Sequence, residues 1–182
     1  NHFEKNLKII EDLVTGKNIS NKKTILSALI SSTNFYLHYQ GNDITNLQKR
    51  YGALVHKLTK SIYSKYHQDI ALNNDKKFIN IGFVSSFFFD HVISKLFKNW
   101  IIKLNKNIFK SSVYYIGNER DHITNLIIEN CDNFFQETNL ENIINKIYSD
   151  KLDILIFLDI GMIPEMQILG SLKLAPIQCC AY

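Results

Sequence analysis

An α/β chain is what the sequence predicts: a Rossmann-like parallel sheet preceded by an α-helical segment. Three observations carry this. After Lys77, short apolar runs rich in β-formers alternate with amphipathic helical stretches. The connections between them are short, as right-handed βαβ crossovers allow. Ile154 to Leu158 is apolar on both faces, the signature of a strand covered on both sides.

In order along the chain, Phe3, Leu7, Ile10 and Leu13/Val14 recur at steps of three and four and predict a first helix. Ser20 is placed to open a second, with ILSALISSTNFYLHY as its apolar body. GND then breaks the chain, and Asp43 can cap a third helix bearing Leu47, Tyr51, Leu54/Val55, Leu58 and Ile62 on one face. The polar stretch ALNNDKK has no periodicity and marks the boundary between a helical segment, 1–74, and an α/β region, 75–182. There FINIGFV, SSVYYIG, NFFQ, LDILIFLD and LAPIQCCA read as five strands. The intervening HVISKLFKNWIIKL, DHITNLIIENC, LENIINKIYSD and PEMQILGSLK read as helices. The chain stops inside a predicted strand, so it reads as a fragment.

Composition narrows the function. Of 182 residues 46% are hydrophobic and 21% charged, a globular composition. The net charge of +4 is spread over lysines, with no basic run interleaved with aromatics, which argues against a nucleic-acid surface. No apolar run approaches the roughly 20 residues of a membrane span, and the N-terminal stretch is no signal peptide, so a cytoplasmic location is expected. Cys131, Cys179 and Cys180 form no metal-binding spacing; the adjacent pair in LAPIQCC is expected to be buried. No resident metal or cofactor is predicted.

Ligands of an open parallel sheet bind at the carboxyl ends of its strands. That rule selects Ser85–His91, Gly117–His122 and Asp159–Pro164. In the first, Ser85 and Ser86 bring hydroxyls and Asp90 can cap the helix beginning near His91, leaving amides suited to a phosphate. His91 is either a half-exposed bystander, a proton acceptor or a neutral donor. In the second, Asp121 is a good N-cap, and Arg120 and His122 read as solvated loop residues. In the third, Asp159 either forms a turn or orients a sugar hydroxyl, Gly161 permits an unusual backbone angle, and Pro164 starts a helix. There is no G-x-G-x-x-G, Walker A, G-x-S-x-G or D-x-D, so pattern alone names no reaction.

INIGFVSSFFFDHVISKLF resembles the opening of the catalytic region in the O-linked N-acetylglucosamine transferase (SPINDLY-like) glycosyltransferases, in a bacterial branch. LDILIFLDIGMIPEMQILGSLKLAPIQ is similar to a second motif of that family, and the resemblance covers roughly residues 35–182. It implies the N-terminal half of a GT-B catalytic region, truncated before the donor-binding half. The implied enzyme is metal-independent and inverting, and moves a sugar, N-acetylglucosamine or a hexose, from a nucleotide-sugar to a protein acceptor. It also implies His91 as the cleft histidine, acting as base or as a contact to acceptor or donor. Ser85, Ser86, Asp90, Lys95, Asp159, Gly161 and Met162 are then substrate-binding. Phe87 stands where many members have aspartate, and Met162 where many have an aromatic or histidine. A non-catalytic protein-interaction module with a degenerate transferase-like domain is the alternative, and a flavodoxin-like small-molecule enzyme a third reading.

Overall fold

The computed structural model describes residues 2–15, 21–31, 34–72 and 75–181. The chain divides into two compact units, one of residues 1–68 with 161–172, the other of 69–160 with 173–182.

The first unit is helical. It contains α1 (His2–Thr15), α2 (Lys22–Leu29), a 3-10 turn (Phe35–Gln40), α3 (Thr45–Ile62), a second 3-10 turn (Ser64–His67) and α7 (Pro164–Ser171). The apolar stripe of α3 is buried as its spacing predicts, through Tyr51, Leu54, Val55 and Leu58. Against it pack α1, α2 and α7. Arg50 of α3 grips Glu11 of α1 with two bonds, Nε at 2.9 Å and Nη2 at 2.6 Å, and Ser171 of α7 donates to Thr59 of α3 at 2.9 Å. The second helix is shorter than the sequence predicts. It is capped by Asn21 and stops at Leu29. Ser31 turns its hydroxyl back onto the Ala28 carbonyl at 2.9 Å, and such local side-chain bonds compete with the helix ladder. Ser20 lies outside the described residues, as do Asn73 and Asn74 of the expected boundary. Asp43 does serve the start of α3, accepting from Thr45 N at 2.9 Å.

The second unit is an α/β layer structure with a five-stranded, wholly parallel sheet. Its strands are β1 (Ile79–Ser85), β2 (Phe109–Ile116), β3 (Asn133–Glu137), β4 (Ile154–Phe157) and β5 (Ile177–Cys180), in the order β3-β2-β1-β4-β5. Right-handed crossovers place α4 (Val92–Ile102) and α5 (His122–Asn130) on one face and α6 (Leu140–Ser149) on the other. Helix α4 buries Ile93, Phe97 and Ile101; α6 buries Ile143, Ile144 and Ile147. On the outer side of α4, Val92, Leu96 and Trp100 stay exposed. Gly82 lies at the centre of β1, where a Cβ would collide with Leu152 and crowd Leu155 and Tyr114 at 3.1 Å.

Strand register is fixed at the amino ends by two carboxylates used alike. Asp132, just before β3, accepts from Ser111 N at 2.9 Å and from Lys110 at 3.0 Å. Asp153, just before β4, accepts from Asn80 N at 2.8 Å and from Lys76 at 2.7 Å. Each joins a backbone amide to a lysine, and charge-assisted bonds of this kind are among the stronger ones. Burial alone would raise the Asp132 carboxyl, but the Ser111 amide, Lys110 and the Ser111 hydroxyl outweigh it and hold it below the usual range.

The two adjacent cysteines are a correction. Cys179 and Cys180 are exposed and Cys131 is half-buried, none in a disulfide. The apolar run LAPIQCC suggested a covered strand, but β5 is an edge of the sheet and, among the described residues, pairs with β4 alone.

Candidate functional site

Strand order reverses between β1 and β4, so the carboxyl ends of these two strands flank the switch point of the sheet. Ser85 ends β1 fully buried and its hydroxyl accepts from Phe87 N at 3.0 Å. Ser86 N donates to Asp159 Oδ2 at 3.2 Å across the switch point. Asp159 has no exposed surface. Its Oδ1 and the Ser86 hydroxyl are both buried without a partner among the described residues. Burial pushes the Asp159 carboxyl up to about 7, opposed only in part by the Ser86 amide and the Ser85 hydroxyl. In its neutral form this side chain is a hydrogen-bond donor in the floor of the site.

The loop after β1 is pinned from α4 and from the β2–α5 turn. Ser94 Oγ donates to the Phe87 carbonyl at 2.6 Å, and Thr124 Oγ1 to the Phe88 carbonyl at 2.7 Å. Asp90 N donates to Asp121 Oδ2 at 2.6 Å. Asp121 is also the N-cap of α5, in a capping box with Thr124. The Phe88 ring is buried edge-on against Tyr115, with centroids 6.0 Å apart. Sequence reading singled out Asp121 as a cap but not the tie it makes to this loop, and it missed Ser94 and Thr124. A hydroxyl three residues after each N-cap is the one signal that pointed to them.

Asp90 does not cap α4. His91 does: its backbone is extended, and Nδ1 accepts from Ile93 N at 3.3 Å. Asp90 is left on the surface and pairs with Lys95 at 2.9 Å, an exposed pair that adds little stability. The His91 ring stacks on Phe87, with centroids 4.2 Å apart and planes inclined by 18°. Phe89 stands tilted beside it at 5.7 Å.

Ser85, Ser86, Asp90, His91, Lys95 and Asp159 therefore all lie at the β1 and β4 ends of the second unit, with Ser86 and Asp159 in direct contact. Gly161 and Met162 fall in the segment that belongs to the helical unit. Gly161 has φ +91°, and nothing lies within 4 Å of where a Cβ would point. Gly161→Ala is thus expected to cost about 1–2 kcal/mol through backbone strain alone, measurable as a shift in the urea midpoint; an unshifted midpoint would mean that the turn relaxes. Arg120 is tied to the edge strand, donating to Gln136 at 2.5 Å. A cavity of about 280 Å³ in the same unit is lined by Lys76, Tyr148, Lys151, Leu152 and Asp153, none of them a predicted site residue. Among the described residues no three His, Cys, Asp or Glu side chains group as a metal site, and no helix is long and apolar enough to cross a membrane.

No family model and no curated protein matches this chain. A solved structure does: a lysine-to-methionine mutant of the Thermobaculum terrenum O-GlcNAc transferase, with a TM-score of 0.61 over 98% of this chain at 14% identity. The fold is glycosyltransferase-like. This chain covers 34% of that protein's chain, so the likeness concerns one portion of it.

Proposed function

We propose that this chain is the N-terminal half of the catalytic region of a metal-independent, inverting glycosyltransferase that moves a sugar from a nucleotide-sugar such as a UDP-sugar to a protein side chain in the cytoplasm. In this reading residues 75–182 form one wall of the cleft, and residues 1–74 are the approach to it from a helical-repeat array. Sequence outside residues 1–182 supplies the donor-binding half. The observation that carries the reading is the pinned Ser85–His91 loop at the switch point of a glycosyltransferase-like sheet, with the buried Asp159 beneath it. His91 touches the reacting groups, Ser85, Ser86 and Asp159 shape the floor, and Asp90 and Lys95 line the rim; Gly161 and Met162 are assigned to substrate by the family resemblance alone.

The test is sugar transfer by the full-length protein, followed by mass spectrometry of acceptor proteins. His91→Ala is expected to lower turnover about tenfold or more, as for a positioned polar group in the transition state. Unchanged turnover would make His91 structural. Phe87, in place of the aspartate many family members carry, favours a second reading as a non-catalytic interaction module. Calorimetric titration with UDP-sugars separates the two: absence of nucleotide binding by the full-length protein supports the module.

A further inference from the structure

His91 has two ring nitrogens with different surroundings. Nδ1 is occupied, because it accepts the Ile93 amide hydrogen at 3.3 Å. A nitrogen that accepts cannot carry the hydrogen of a neutral imidazole, so that hydrogen sits on Nε2. Among the described residues no protein group bonds Nε2, and it is not among the buried unpartnered atoms. The ring is held face-on by Phe87 at 4.2 Å and 18°, and flanked by Phe89 at 5.7 Å and 51°. Phe87 is itself fixed, since its carbonyl accepts from Ser94 and its amide donates to Ser85. Rotation of the imidazole about its Cβ–Cγ bond would break the cap or the stack, and a half-turn would set a C–H where Nδ1 now accepts.

From this we infer that Phe87 is a positioning residue for His91, and that together the stack and the cap present His91 to ligand as an Nε2–H donor to an oxygen atom, not as a proton-accepting base. The ligand half of this statement rests on the proposed transfer reaction, where the oxygen belongs to the sugar donor or the acceptor hydroxyl; the ring geometry does not. It also gives a use to the aromatic side chain that replaces an acid at position 87. An acid there could pair with the ring through its charge, whereas here the ring is held by the phenyl face and by the Ile93 amide at Nδ1.

Two experiments test it. In the full chain labelled with 15N-histidine, long-range proton–nitrogen correlations are expected to show His91 hydrogen-bearing at Nε2, with its ring protons shifted upfield by Phe87. A hydrogen on Nδ1 would overturn the assignment. Phe87→Leu is expected to remove the upfield shift and to speed exchange of the Ile93 amide about tenfold, while Phe87→Tyr keeps both. A residue that only filled space would change the melting temperature and leave the His91 hydrogen on Nε2 and the Ile93 amide as they were. In the full-length protein, His91→Asn keeps a capping oxygen and an N–H donor, whereas His91→Asp keeps only the cap. Turnover of His91→Asn is expected to exceed that of His91→Asp about tenfold or more; equal losses would end the donor role. If the full-length protein transfers no sugar, the proposed reaction fails, and the ring measurements still decide what Phe87 does.

Discussion

Asp159→Asn is expected to stabilise the fold at pH 8 by about 2–4 kcal/mol and to change it little at pH 4. The carboxyl is wholly buried, receives one amide bond, and titrates in the fold near 7 because burial disfavours its charge. In the unfolded chain it titrates near its ordinary value of about 3.9. The stability that goes with the neutral acid is therefore complete below about pH 4. It drains away as pH climbs to about 7, by about 1.4 kcal/mol for each pH unit in which only the unfolded chain is ionised. Asparagine has nearly the same shape and never ionises, so it escapes this loss. Urea unfolding of both proteins at pH 4 and pH 8 checks it. A difference in stability that stays constant across that range would show that Asp159 is charged in the fold.

Phe88→Ala should lower stability by about 3–5 kcal/mol, as truncation of a buried phenylalanine does. The ring is only 1% exposed and meets Tyr115 edge to face. Its backbone carbonyl holds Thr124, so losing the ring also loosens the tie between the β1 loop and α5. Hydrogen exchange should speed at Phe89 to His91 before it speeds in β1. Phe89→Ala is the control: its ring is half-buried, and truncation should cost less. Equal losses at the two positions would mean that the loop is not anchored through Phe88.

The sheet was legible because strands and helices here have different periods and are separated by short polar turns. Each of the five expected strands contains or overlaps an observed one, from Ile79–Ser85 to Ile177–Cys180. What failed was local. ILSALISSTNFYLHY is apolar enough for one helix, yet Ser31 turns its hydroxyl onto the Ala28 carbonyl, and two shorter elements form, α2 ending at Leu29 and a 3-10 turn over Phe35–Gln40. Asp90 looked the better cap beside His91, since aspartate is a frequent cap and histidine a rare one. The Lys95 ion pair and the Asp121 bond hold Asp90 instead, and Asp121 lies 31 positions away in the chain. The exposure of Cys179 and Cys180 depends on which strand is outermost, which is a property of strand order and not of composition. The burial of Asp159 beneath Ser86, 73 positions away in the chain, is equally a product of topology.

The paired carboxylates Asp132 and Asp153 have a meaning for how such a scaffold changes over time. Both tie strands at the amino ends of the sheet, through Ser111 and Asn80, while the loops that carry the candidate site leave from the opposite ends. Alignment of the strands is thus decided away from the candidate site. Loop sequences after β1, β2 and β4 can be exchanged, lengthened or redesigned without sliding one strand past its neighbour.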